Sequence, residues 1–356
     1  MNTDLINYKY RTLTFILILS YAYIHVTLTG VYEQVTLNDL ISLHTHLPYA
    51  QRVLVPLLGH GLQYLMPIAP KYIFFILEIV FSILLFCALK ATLTTATPHG
   101  LSTGSKRQAY AWTVLFFLLL PLITVINYRY LWKGGDAALY YVYDTSTLFF
   151  MILGFKLCHQ KRFNLFYPLL VLATLNRETS ILLVLLIPLI HPVKTVFKPF
   201  LWALGIYVIT HALTLYWAMP LGGHLVEWLY RDGIHTHFFT NMYWLFQDNR
   251  LFLFFFAMAG FPLLWFTFYD YIPKQFRPLK YLLLAYFLGL LVVGNFMETR
   301  IFLEIIALMV MPLTIALSSW LQNEAPIAAP PITVCSWLDR HAVLLILALI
   351  CVYYGV

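Results

Sequence analysis

The chain of 356 residues is 61% hydrophobic and 17% aromatic, and only 10% of it is charged, far under the ~25% of a soluble domain. That balance excludes a soluble globular protein and predicts an all-α, polytopic transmembrane helical bundle, a single integral membrane domain over 1–356. The net charge of +7 is not a nucleic-acid signal, because the basic residues are scattered between apolar spans, where they set orientation in the bilayer.

Apolar runs predict spans near 12–30, 72–92, 109–127, 143–157, 163–176, 179–192, 199–218, 250–268, 280–296, 300–318 and 341–355. That is about eleven crossings (nine to thirteen), several shorter than the ~20 residues a helix needs. The first run follows Lys9 and Arg11 and lacks a small-residue cleavage site, so it predicts an uncleaved signal anchor. With the N-terminus in the cytoplasm, 14 of the 22 Lys and Arg residues fall on inner segments, as the positive-inside rule requires. The four cysteines have neither disulfide nor metal spacing and read as free thiols.

The acidic residues sort more sharply. Ten of fifteen fall on or near the outer side: Glu33, Asp39, Asp136, Asp144, Glu178, Glu227, Asp232, Asp248, Glu298 and Glu304. Acids carry little topogenic force, so their gathering beside outer arginines points either to a reaction chamber at the outer surface or to ordinary solvated loops and ion pairs.

In the first outer loop, 31–71, Leu37, Leu40, Ile41 and Leu47 recur at helical spacing and predict an interfacial amphipathic helix. Glu33 and Asp39 are candidate bases for an acceptor hydroxyl, although Thr36 three residues before Asp39 also has the pattern of a helix cap. Arg52, entering an apolar run, is placed either to grip a lipid-linked phosphate or to snorkel at a helix end. Asp144 opens the fourth span, as a cap or as part of the chamber wall.

Asn176-Arg177-Glu178-Thr179-Ser180 interrupts an otherwise apolar run of 28 residues, 163–190. An ionisable group at mid-bilayer costs at least ~2.5–3.5 kcal/mol, so this stretch reads first as a site. It predicts two short helices joined at the motif. Asn295-Phe296-Met297-Glu298-Thr299-Arg300 repeats the acid-Thr-Arg composition at the same membrane level. Arg300 and Glu304, four apart, have the spacing of a pair on one helix, while Arg177, Glu178, Glu298 and Arg300 have the placement of an inter-helix network. A second outer loop, 219–249, carries a loose set of His224, Glu227, His235 and His237, the nearest approach to divalent-metal ligation. No cofactor and no metal centre is read from the sequence. An inner linker follows at 319–340.

The signal anchor, the acid-bearing first loop, the Arg-Val-Leu-Val-Pro-Leu-Leu segment at 52–58, the Tyr143-Asp144 start, the Asn-Arg-Glu-Thr turn and the Glu-x-Arg start together resemble the bacterial multi-pass GT-C-type glycosyltransferases. The resemblance covers most of the chain as architecture. It implies transfer of a sugar from a polyprenyl phosphate or diphosphate donor at the outer membrane face. It makes Asp39, or failing that Glu33, the base, and adds Glu178 as a candidate catalytic acid. Arg52, Arg177 and Arg300 would hold the phosphate, with Asp144, Asn176 and Glu298 lining its site. Members of the family often have adjacent acids or Asp-x-Asp in the first loop, and this chain has neither. Its partners would be the polyprenyl-linked donor and membrane lipid, with no nucleic acid. Two other classes fit the same residues: a transporter or flippase for a lipid-linked or anionic solute, and a non-catalytic membrane assembly subunit.

Overall fold

The computed structural model describes residues 3–32, 34–96, 103–126, 139–225, 235–245, 258–296, 298–327, 337–338 and 341. Among these residues the chain is helical, and the pairing of extended backbone is confined to isolated bridges, Gly30 with Leu139 and Leu47 with Gly223. The helices are α1 (Thr3–Thr27), α2 (Leu37–Ile41), α3 (Leu54–Leu65), α4 (Pro70–Ala96), α5 (Thr103–Thr124), α6 (Asp144–His159) and α7 (Phe163–Asn176). They continue with α8 (Ile181–Ile190), α9 (Val193–Ala218), α10 (His237–Leu245), α11 (Phe261–Thr267), α12 (Leu279–Val293) and α13 (Leu303–Leu321).

Among the described residues, five helical stretches are long and apolar enough to cross a membrane: Pro70–Thr95, Arg107–Thr124, Val193–Leu221, Lys274–Val293 and Thr299–Leu321. Helices α6, α7 and α8 coincide with predicted spans but have only 16, 14 and 10 residues, short of a full crossing at 1.5 Å per residue. The predicted span at 341–355 lies outside the described residues apart from His341. The one at 250–268 is described only from residue 258, where α11 forms.

Burial sorts the bundle into centre and rim. Helix α6 packs against α4, α7, α8 and α13. In Thr299–Leu321, which holds α13, 89% of the apolar stretch is buried, against 11% in Val193–Leu221, which holds α9. Helix α9 turns Trp202, Ile209, Leu213 and Tyr216 outward, a contiguous apolar face of the kind that meets lipid rather than water. Helices α6 and α8 approach closely at Gly154, where an added Cβ would stand 2.6 Å from Leu183 Cδ1.

The predicted interfacial helix of the first loop is shorter and more buried than its spacing suggests. It ends at Ile41, and Leu43 takes a left-handed φ of 59°. Leu40, Ile41 and Leu47 are buried, with α2 packed on α3 and α4, so its apolar face covers protein. The chain then runs beside the stretch after α9, predicted as the second outer loop, where Leu47 N–H donates to the Gly222 carbonyl (2.9 Å). Gly223 there has φ of 91°, and a Cβ would meet the Leu47 backbone, so only glycine suits the approach.

Between α7 and α8 the helix breaks as the sequence predicts. Arg177 is extended (φ −162°, ψ 137°), and Glu178–Ser180 form a single 3-10 turn. Thr174 and Ser180 hydroxyls meet across the break at 3.0 Å. Apolar sequence on both sides keeps both helices in the bundle, and the break delivers Arg177 and Glu178 to one of its ends.

Candidate functional site at one end of the bundle

The two central helices both start at this end, each with an acid in its first turn: Asp144 on α6 and Glu304 on α13. The positive pole of a helix N-terminus stabilises such acids, but both are wholly buried, and burial demands counter-charge. Arg177 supplies it. Its Nη1 stands 3.5 Å from Asp144 Oδ1 and its Nε 3.3 Å from Glu304 Oε1. These are ion pairs without hydrogen-bond geometry. Glu304 also accepts a hydrogen bond from the Thr179 hydroxyl (2.6 Å).

A more accessible layer lies over this one. Arg52 Nε and Nη2 donate to both oxygens of Glu178 (3.1 and 2.6 Å), and Arg52 Nη1 donates to the Tyr143 hydroxyl (2.9 Å). Arg300 Nη2 lies 2.5 Å from Glu298 Oε2 and its Nη1 4.0 Å from Asp144 Oδ1. The Arg300 guanidinium carbon stands 3.3 Å from the Tyr141 ring centroid. The spacing of Arg300 and Glu304 predicts a pair on one helix; the 3-10 turn Thr299–Phe302 instead sends Arg300 to Glu298 and leaves Glu304 to Arg177.

These groups border a cavity of about 560 Å³. Its lining includes the charged residues Arg52, Arg177, Glu178, Glu298 and Arg300 and the apolar residues Leu215, Leu225, Leu290 and Val293. Leu215 belongs to α9, the helix with the outward apolar face. The lining thus mixes charged and apolar side chains, and 560 Å³ is within the range of ligand pockets. Gly294 and Asn295, beside Glu298 in the lining, are held by Asn241 of α10. Its side chain donates to the Leu291 and Gly294 carbonyls (3.0 and 2.7 Å) and accepts from Phe296 N–H (3.1 Å).

Other candidate residues lie apart from the cavity lining. Asp144 is in the layer beneath. Asn176 is buried and ties the end of α7 to the start of α6: Ser146 donates to its Oδ1 (2.6 Å) and its Nδ2 donates to Thr147 (3.0 Å). Asn176→Leu is expected to lower thermal stability by about 1–3 kcal/mol, the cost of stranding buried polar partners, with a melting curve as the check.

Asp39 closes a capping box with Thr36, whose N–H and hydroxyl donate to Asp39 Oδ2 (2.9 and 2.6 Å). Those donors hold the Asp39 carboxyl below the usual aspartate range. A lower pKa in the folded state stabilises the fold at neutral pH, and that contribution fades as pH falls through the ordinary range near ~4 toward the folded value. Asp39→Ala is expected to cost about 1 kcal/mol at pH 7 and less as the medium is acidified below that range, measured by paired melts across pH. Glu33 and Glu227 lie outside the described residues; Tyr32 and Gln34, on either side of Glu33 in the chain, line the cavity.

Several contributors were not among the predicted site residues. Tyr141 and Tyr143 pack on the guanidinium groups, and Glu304 anchors Arg177. A second buried group sits nearby. Glu78 accepts from Thr145 (2.5 Å) and is 2.9 Å from His25 Nδ1. No protein-family model, no curated protein and no solved structure matches the chain.

Proposed function

We propose that the chain is a membrane-embedded glycosyltransferase of the GT-C type, which moves a sugar from a polyprenyl-phosphate donor to an acceptor at the outer membrane face. The observation that carries the proposal is the cavity itself, whose lining combines three arginines with leucines and a valine and includes Leu215 of α9, the helix with the outward apolar face. Arg52 and Arg300 would hold the phosphate and stabilise the charge that grows on it as the glycosidic bond breaks. Arg177 is deeper, and its role is to keep Asp144 and Glu304 in place. Glu178 is engaged by Arg52 and is not a free base. The base for the acceptor hydroxyl then comes from the first loop. Glu33, bracketed in sequence by two lining residues, takes that role ahead of Asp39, whose carboxylate is held by Thr36.

The test is reconstitution in liposomes with polyprenyl-phosphate hexose and pentose donors and a mass-spectrometric search for sugar-bearing product. Donor-dependent product is expected, lost in Glu33→Gln and kept in Asp39→Asn. Solute counterflow without any covalent product would mark a transporter. A folded protein doing neither would mark an assembly subunit.

A further inference from the structure

Charge arithmetic sets a problem for any anion entering this cavity. Among the described residues, the site brings together the guanidinium groups of Arg52, Arg177 and Arg300 and the carboxylates of Asp144, Glu178, Glu298 and Glu304. Three positive charges against four negative leave the cluster at −1, so within these seven groups a phosphate meets no unspent cation. Arg177 faces two carboxylates, Asp144 and Glu304. Arg300 also faces two, Glu298 and Asp144. Arg52 has one, Glu178, and its third donor goes to a neutral tyrosine.

Glu178 is also the most accessible of the four acids. Its side chain is 27% exposed, against 15% for Glu298 and 0% for Asp144 and Glu304. It sits on the 3-10 turn of the break, with its backbone carbonyl held by the Tyr207 hydroxyl (3.0 Å), so the side chain can swing while the backbone stays. Its two-pronged grip on Arg52 is the geometry in which a guanidinium also takes phosphate.

We propose that Glu178 is a displaceable counter-ion: it holds Arg52 in the empty cavity and yields that guanidinium to the phosphate of an incoming amphiphile. The inference rests on the reading of the cavity as a lipid-phosphate site. It gives Glu178 a positioning role, in which an acid keeps the arginine folded inward until an anion replaces it.

The experiment measures binding of dodecyl phosphate, and separately of inorganic phosphate, to the full-length protein in a maltoside detergent by calorimetry. Glu178→Gln, which keeps size and removes charge, is expected to bind dodecyl phosphate roughly tenfold tighter, because a competing like charge has gone. Glu178→Asp is expected to fall between it and the wild type. Arg52→Gln is expected to lose the binding. Glu298→Gln is expected to change it no more than about twofold, since Arg300 keeps Asp144. Unchanged or weaker binding by Glu178→Gln, or an equal gain in Glu298→Gln, overturns the counter-ion role while leaving the site reading intact. Inorganic phosphate binding as tightly as dodecyl phosphate would keep the exchange and discard the lipid. If neither wild type nor Glu178→Gln binds either probe, the site reading and the inference fall together.

Discussion

Arg177→Leu is expected to give the largest loss of stability of any single substitution at this end of the bundle. The guanidinium is 7% exposed and stands between two carboxylates that are 0% exposed. Leucine leaves both acids buried with less counter-charge, and removing one partner from a buried pair costs about 3–5 kcal/mol. Among the described residues, Asp144 keeps the 4.0 Å contact with Arg300, and Glu304 keeps the neutral hydroxyls of Thr179 and Tyr286. The change is expected to appear as a steep fall in the thermal midpoint and in the monodisperse fraction of purified protein. The combined Asp144→Asn, Arg177→Gln and Glu304→Gln variant is expected to recover most of that loss, because no uncompensated charge remains. If Arg177→Leu melts like the wild type, these contacts do not hold the central helices together.

Arg52→Gln is expected to produce the largest loss of activity with little loss of fold. Arg52 is at the cavity rather than beneath it, its side chain 12% exposed, and its partner Glu178 is the most accessible of the site's four acids, at 27%. A single preorganised donor aimed at developing charge contributes about 10²–10³ in rate, and that is the loss expected in initial rates of sugar transfer. Arg52→Lys is not expected to restore the rate fully, because an ammonium is a point charge and cannot grip two oxygens in one plane. A thermal midpoint that drops as steeply as the rate would place Arg52 among the structural charges.

Some of this was legible in the sequence for definite reasons. Two charges and two hydroxyls inside an apolar run require a break or a site, and 176–180 is both. Collection of acids and arginines on one side placed Arg52, Glu178, Arg177, Glu298 and Arg300 in one neighbourhood without any single spacing that paired them. The pairings themselves were not legible. Helical spacing predicts Arg300 with Glu304, but the 3-10 turn at Thr299–Phe302 turns Arg300 to its near neighbour Glu298, and Glu304 pairs instead across the bundle with Arg177. The pattern of Leu37 to Leu47 has helical period, yet a left-handed residue at Leu43 ends the helix early and tertiary packing covers its apolar face. His25 lies in an apolar stretch whose sequence carries no sign of Glu78, because the two meet only when α1 and α4 pack. Tyr141 and Tyr143 alternate just before α6, a signal that something on one side needs aromatic rings, but not what.

The central claim is that charge buried at one end of the bundle organises a cavity for a lipid-linked phosphate. Photo-crosslinking addresses it directly, with a polyprenyl phosphate bearing a diazirine on its first isoprene units, followed by peptide mapping. Label is expected on Leu215, Leu225, Leu290 or Val293, and is expected to disappear in Arg52→Gln. Label confined to the outward face of α9, at residues such as Ile209 and Tyr216, and unaffected by Arg52→Gln, would contradict the account.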